Sequence, residues 1–128
     1  MAEPIHHEIV FPVSRERVYQ ALLDEAQHAE FTGGPAEISP DAGGAFSCHG
    51  GQIVGRNIEL VPNERIVQAW RVANWPPGVY SVVSFRFETE GEDTRLVLDH
   101  HGVPADAREH IDGGWHQRYW EPMKKFLA

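Results

Sequence analysis

The stretch YSVVSFRFETEGEDTRLVLDHH, residues 80–101, decides the fold class of this chain. Apolar and polar residues alternate over 80–88 and again over 94–101, and a polar segment separates the two runs, which is typical of a β-hairpin. Because alternate side chains of a strand share one face, one face of this hairpin is expected to point into the core. That face carries Val83, Phe85, Phe87, Leu96, Leu98 and His100.

The charges on the other face favour one register for this hairpin. A register that pairs Phe85 with Leu98 also places Glu88 opposite Arg95. Opposite charges that face each other across a strand pair stabilise the pairing. We therefore expect this register.

Upstream of the hairpin, the sequence predicts one strand, two short helices and then three more strands. The first strand is 5–11, and the helices are 15–23 and 24–28. Ser14 is the expected N-cap of the first helix, because its hydroxyl can accept from an unpaired amide of the first turn. The remaining strands are expected at 45–48, 53–60 and 66–72.

Downstream of the hairpin, a long C-terminal helix is predicted over 105–126. Ile111, Trp115 and Tyr119 are spaced by four residues and would form one stripe along it. Pro122 falls inside this helix, where it removes an amide donor. The order of elements predicts a single α+β domain, 1–128, in which a curved antiparallel sheet wraps around the C-terminal helix.

Several segments, in order and over nearly the whole chain, resemble the single-domain homologues of the activator of heat-shock-protein-90 ATPase. Those homologues have the helix-grip fold of the START-like, SRPBCC superfamily. Pro122 departs from their pattern, which usually has an apolar helix former there. The matching segments are GGAF (43–46), ELVP (59–62), ERIV (64–67), AWR (69–71), TRLVLDH (94–100) and GW (114–115).

The resemblance implies a cavity between the sheet and the C-terminal helix. In the wider superfamily such cavities hold lipids, sterols or polyketides, and some members are cyclases, aromatases or hydrolytic enzymes. The resemblance also implies, by analogy of name, a co-chaperone-like partner of a heat-shock ATPase. It indicates the fold more firmly than the function.

Aromatic residues are the main candidates for the wall of that cavity. All four tryptophans lie in two segments, 70–75 and 115–120. Trp75 is expected at the rim because its loop is rich in proline, and Trp120 lies about 100° around the helix from Tyr119. The same aromatics would suit an ordinary core. The candidate ligand-binding residues are Phe31, Phe46, Arg56, Trp70, Trp75, Phe85, His100, Trp115 and Tyr119.

Two polar candidates each allow two interpretations. His100 is either a neutral core histidine, partnered by Tyr119 or Gln68, or a polar anchor or general base on the cavity floor. Arg56 shares strand parity with apolar neighbours. It either extends its charge to water at a strand edge or pairs with a carboxylate on a ligand.

Composition excludes several classes of function. The chain has 128 residues, 41% of them hydrophobic, and a net charge of −8 with its eight histidines neutral. This charge argues against nucleic acid and anionic membranes as partners, since both present phosphates. The single Cys48 excludes an internal disulfide. Without a signal-like N-terminus, the sequence predicts a cytoplasmic protein.

No common catalytic or cofactor motif is present, so no cofactor is expected and the catalytic residues stay unknown. Neighbouring histidines on a strand point to opposite faces, so the pairs His6–His7 and His100–His101 cannot chelate one ion. His110 and His116 do not share a helix face. No metal site is therefore predicted.

Three functions remain open. The chain is expected to bind a small apolar or aromatic molecule, and is more plausibly a binder than an enzyme because no linked acid–base pair is evident. The alternatives are an enzyme of the cyclase, aromatase or hydrolytic type, and a co-chaperone. An exposed Trp75 or Trp120 would equally suit the contact surface of a homodimer.

Overall fold

The order of elements in the computed structural model, which describes residues 3–128, confirms the α+β helix-grip architecture. Strand β1 (Ile5–Phe11) is followed by helices α1 (Arg15–Leu23) and α2 (Glu25–Thr32). Six strands come next: β2 (Ala36–Ile38), β3 (Ala45–Cys48), β4 (Ile53–Val61), β5 (Arg65–Val72), β6 (Ser81–Glu90) and β7 (Asp93–His101). The C-terminal helix consists of α3 (Arg108–Trp115), a π-helical turn (His116–Trp120) and α4 (Glu121–Phe126).

The strands form one antiparallel sheet in the order β1-β7-β6-β5-β4-β3-β2. The predicted hairpin register is confirmed, with Phe85 opposite Leu98 and Glu88 opposite Arg95. The charges are paired differently, however. The Arg95 guanidinium contacts Glu8 at 3.1 Å and Glu90 at 2.6 Å, so it bridges β1 to the hairpin end.

Three features differ from the sequence prediction by more than two residues. Strand β2 was not predicted, because three residues after Pro35 give too short a pattern to detect. Helix α2 runs to Thr32 rather than 28, and Gly33 ends it with a φ of 73° that glycine adopts without strain. Helix α3 begins at Arg108 rather than 105, since a turn follows Pro104. The predicted N-cap is confirmed, because Ser14 Oγ accepts from the amide of Arg17.

Pro122 is accommodated by the π-helical turn before it. The amide of Glu121 donates to the carbonyl of His116, five residues back rather than four. A proline inside an α-helix clashes with the carbonyl four residues earlier, and a π turn relieves this by widening the backbone. The wider turn also rotates the residues of its own segment. Both Tyr119 and Trp120 therefore point inward and are buried.

No helix among residues 3–128 is both long enough and apolar enough to span a membrane.

Gly113 gives a stability prediction from this helix. A Cβ built there meets no atom within 4 Å, and glycine inside a helix costs about 1 kcal/mol relative to alanine. Gly113→Ala is therefore expected to raise the free energy of unfolding by about 0.5–1 kcal/mol in urea denaturation.

Gly55→Ala is the matched contrast for Gly113→Ala. A Cβ at Gly55 would lie 1.9 Å from the carbonyl oxygen of Ala69 and 2.6 Å from Cζ of Phe46. This overpacking should destabilise the protein by about 1–3 kcal/mol. A loss of stability in Gly113→Ala would mean that the helix does not have this form.

Candidate functional site

The aromatic side chains predicted to meet do meet between the sheet and the C-terminal helix. The Trp115 ring centroid lies 5.9 Å from that of Trp70, 5.7 Å from Phe85 and 4.7 Å from Tyr119. Phe31 closes one end of the group, 5.8 Å from Tyr119. Phe46, His100 and all of these side chains are at most 7% exposed. They form an aromatic cluster that joins the helix to the sheet.

His100 is held by a chain of hydrogen bonds within this cluster. The indole N–H of Trp115 donates to Nδ1 of His100 at 3.1 Å. The ring proton must then be on Nε2, which donates to Oγ of Ser81 at 2.7 Å, while that hydroxyl donates to the carbonyl of Trp70. Burial lowers the pKa of His100 to about 3. Its partners are not Tyr119 or Gln68, and both ring nitrogens are in use.

A second buried histidine, His28, is satisfied in the same way. Its Nδ1 must donate to the carbonyl of Leu22 at 3.1 Å, so Nε2 accepts from the Tyr119 hydroxyl at 3.0 Å. Burial lowers the pKa of His28 to about 4 and raises that of Tyr119. Burial also raises the pKa of the Cys48 thiol to about 12. These groups are neutral and structural at ordinary pH.

The space between the sheet and the helix is largely filled. One small cavity, between Trp70, Trp115 and Tyr119 and the exposed Arg118, has a volume of ≈ 40 Å³. Another, between Phe46, Phe85 and Trp115, has a volume of ≈ 20 Å³. Cavities of this size hold one or a few waters, whereas pockets for small molecules measure roughly 300–1,000 Å³. The aromatic cluster is packed as a core.

A larger hollow, the outer cleft, lies at the edge of this core. Its volume is ≈ 750 Å³, and it lies between α3, the start of β4 and the loop after β5. It borders the ≈ 40 Å³ cavity, with which it shares Ile53, His110, Ile111 and Arg118. The outer cleft is therefore open to solvent on one side and reaches the aromatic cluster on the other. Its lining includes Ile53, Val72, Trp75, Pro76, Ile111 and Arg118.

Arg56 does not face the aromatic cluster. The structure exposes it to solvent, where Nη1 donates to the carbonyl of Gly43 at 3.1 Å. A β-bulge between Asn57 and Glu59 shifts the register of β4. Arg56 therefore has the opposite orientation to Leu60, and its charge reaches water, as in the first of its two interpretations. Asn57 is buried in its place, 1% exposed.

Two tryptophans are more buried than expected. Trp75 is 8% exposed and packs edge-on against Trp70 at 5.9 Å, so it forms the inner wall of the outer cleft rather than its rim. Trp120 is 2% exposed and stacks on Trp115 at 5.5 Å. The π-helical turn explains this, because it brings residues five apart into register. Neither tryptophan offers an exposed surface for a dimer.

A separate polar cluster joins β1 to the C-terminal helix. Ligand atoms of His7, Asp112 and His116 all lie within 4.8 Å of one another. However, Nδ1 of His7 accepts from the indole N–H of Trp120 at 2.9 Å. The ring proton is then on Nε2, which donates to Asp112. A metal would need the lone pair of Nε2, so the indole holds His7 in the tautomer that opposes metal binding.

Several of these polar residues were not identified from the sequence, although two carried a signal. Ser81 shares parity with Val83 and Phe85, so its inward orientation follows from the strand pattern. His28 precedes Phe31 by three residues and lies on the same helix face. His49 carried no comparable signal. Its Nε2 is buried without a hydrogen-bond partner among residues 3–128.

Comparisons with known proteins agree with this architecture. The family model described as Activator of Hsp90 ATPase homolog 1-like protein matches residues 12–128. Activator of 90 kDa heat shock protein ATPase homolog 1 of Homo sapiens is 31% identical over 115 residues, which cover 90% of this chain and 34% of that protein. This chain thus spans about a third of the length of such curated relatives.

Solved structures extend the likeness to nearly the whole chain. The crystal structure of an HSP90 activator from Plasmodium falciparum has a TM-score of 0.94 at 25% identity, and covers 98% of this chain and 96% of that chain. The Aha1 dimer from Colwellia psychrerythraea has a TM-score of 0.82 at 22% identity, with coverage of 98% and 96%. At that identity, the second likeness is one of fold alone.

Proposed function

Because this chain belongs to the family of Activator of Hsp90 ATPase homolog 1-like proteins, we propose that it binds an Hsp90-type ATPase and raises its rate of ATP hydrolysis. The observation that carries this proposal is the likeness to the Plasmodium falciparum HSP90 activator over 98% of this chain and 96% of that one.

The packed interior supports a protein partner over a ligand enclosed between sheet and helix. The interior cavities of ≈ 40 and ≈ 20 Å³ leave no room for such a ligand. A protein partner needs only the outer surface. To accelerate hydrolysis, this chain would have to bind the catalytically competent conformation of the ATPase more tightly than its resting conformation.

A direct assay tests the proposal. The purified chain is titrated into the Hsp90-type ATPase of the organism that encodes it, while phosphate release and complex formation are measured together. We expect the hydrolysis rate to rise several-fold and to saturate at the stoichiometry of binding. An unrelated ATPase serves as the control. The absence of both a complex and a change in rate at micromolar concentrations would exclude this function.

Catalysis by the buried polar groups receives little support. A cyclase, aromatase or hydrolase acting through His100 would need one of its ring nitrogens to be free. Both are engaged, by Trp115 and Ser81. The Tyr119 hydroxyl is likewise committed to His28. We therefore do not favour an enzymatic role for this site.

The outer cleft favours a second candidate function, the binding of a small apolar or aromatic molecule. Its volume of ≈ 750 Å³ lies within the range of ligand pockets. Ile53, Trp75 and Ile111 supply apolar wall. This proposal moves the expected ligand from the filled interior to the cleft at its edge. It is compatible with a role as a co-chaperone.

A homodimer stays a prediction to be tested by sedimentation. Four described residues have large exposed apolar side chains: Val10, Ile58, Tyr80 and Val82. So small a set is normal on a protein surface and does not by itself favour a dimer.

A further inference from the structure

Arg118 is the charged group best placed to select a ligand in the outer cleft. It lies in the π-helical turn and borders both the cleft and the ≈ 40 Å³ cavity that leads to the aromatic cluster. Among residues 3–128 its guanidinium forms no ion pair and no side-chain hydrogen bond. Among the described strand arginines, Arg65 and Arg95 are paired with carboxylates, whereas Arg56 and Arg71 donate to backbone carbonyls.

The surroundings of Arg118 leave room for a ligand next to its charge. Gly114 lines the ≈ 40 Å³ cavity together with Arg118, and a Cβ built there meets no atom within 4 Å. Burial and then the nearby charge of Arg118 lower the pKa of His49.

The cleft combines this cation with flat apolar wall. Trp75 and Pro76 supply one side, and Ile53 and Ile111 supply another. His110 also lines the cleft, as does one carboxylate, Asp106. A planar guanidinium binds a carboxylate through two parallel hydrogen bonds, a geometry that gives specificity.

We propose that the outer cleft binds flat apolar molecules that carry a carboxylate, with Arg118 pairing the carboxylate and the Trp75 wall packing against the apolar body. This inference rests on the proposed binding of small molecules in the cleft, and it names their chemical class. Arg118 thereby takes the role that strand parity had suggested for Arg56.

The test uses naphthoate and its uncharged counterpart naphthamide as probes. Their affinities are measured by calorimetry for the wild-type protein, Arg118→Gln and Arg56→Gln. Arg56→Gln is the matched control, because it makes the same change of charge at an exposed arginine outside the cleft. Indole N–H resonances locate the site, since Trp75 lines the cleft and Trp120, beside His7, does not.

We expect naphthoate to bind at least about 10-fold more tightly than naphthamide, as charge-assisted hydrogen bonds imply. Arg118→Gln should remove this preference and leave naphthamide binding unchanged, whereas Arg56→Gln should change neither. The Trp75 resonance should shift with either probe. Equal affinities of wild type and Arg118→Gln for naphthoate would overturn the assignment of Arg118.

The proposal that the outer cleft binds small molecules and the proposal that it selects carboxylates fail in different ways. If naphthamide binds in the cleft and naphthoate binds no more tightly, the cleft binds small molecules but does not select carboxylates. If neither probe binds at millimolar concentration, both proposals are wrong. Neither result depends on the ATPase assay, because no chaperone is present in the experiment.

Discussion

Trp115→Ala is expected to lower the free energy of unfolding by about 3–5 kcal/mol, the range for removing a large aromatic side chain from a packed core. Trp115 is 3% exposed and contacts the rings of Trp70, Phe85 and Tyr119. Its loss would join the ≈ 40 and ≈ 20 Å³ cavities, both of which it lines. It would also leave Nδ1 of His100 without its donor.

Urea denaturation measures this loss, with Trp75→Ala as the control. Trp75 undergoes the same chemical change but borders the open outer cleft, so its truncation should destabilise the protein less. Trp115→Phe keeps most of the ring volume and serves if the alanine variant does not fold. Added indole should restore part of the stability of Trp115→Ala by filling the new cavity.

This result separates a packed core from the wall of an open pocket. If Trp115 faced a pre-existing void, its truncation would remove few packing contacts. The free energy of unfolding would then fall by less than about 1 kcal/mol. Such a small loss would contradict the filled interior. It would return support to a ligand enclosed between the sheet and the helix.

Regular strand periodicity made the sheet predictable from the sequence. Phe85 and Leu98 are paired as expected, and a slip by one residue is excluded because it would turn the apolar face of one strand to solvent. The inward orientation of Trp70 followed from Ile66 in the same way, and Ile66 is fully buried. In a regular strand, the orientation of one side chain therefore predicts the orientation of all the others.

The errors occur where that regularity is interrupted. The bulge after Asn57 reverses the orientation of Arg56 relative to Leu60. The residue types at this position do not predict a bulge. The π-helical turn rotates Trp120 into the core in the same manner. Pro122 predicts a distortion of the C-terminal helix, but the sequence does not indicate whether the helix kinks or forms a π turn there.

The candidate site was harder to predict than the fold. Contacts such as His7 with Trp120 join residues 113 apart in the chain, and no local pattern specifies them. How far the aromatics fill the interior also depends on the sum of their packing, which the sequence alone does not give. The outer cleft emerges only once α3 and the loop after β5 are placed.

Acidification to about pH 5 is expected to destabilise the protein by roughly 4 kcal/mol relative to about pH 7.5. Burial lowers the pKa of His100 to about 3 and that of His28 to about 4, from an ordinary value of 6.5. Between these values the unfolded chain binds protons that the folded protein does not. Stability is therefore complete above about pH 6.5 and is lost as the pH falls.

Each buried histidine should contribute about 2 kcal/mol of this loss at about pH 5. That pH lies about 1.5 units below the pKa of an unfolded histidine, and each unit corresponds to about 1.4 kcal/mol. The pKa of His7, lowered chiefly by its burial, acts in the same direction. His6 acts in the opposite direction, since hydrogen bonds to Asp99 and Glu8 raise its pKa. It is exposed and screened by solvent, so it does not offset the buried pair.

The slope of stability against pH gives the sharpest test, because it does not depend on how much a mutation destabilises the protein overall. Urea denaturation between about pH 5 and 6 should give a slope of about 2.4 kcal/mol per pH unit for the two histidines, each of which is mostly protonated in the unfolded chain there. His100→Gln should reduce the slope by about half, whereas exposed His101→Gln should leave it unchanged. A slope unaffected by His100→Gln would mean that His100 becomes protonated in the folded protein as readily as in the unfolded chain. Its Nδ1 could then no longer accept the hydrogen bond from the indole of Trp115.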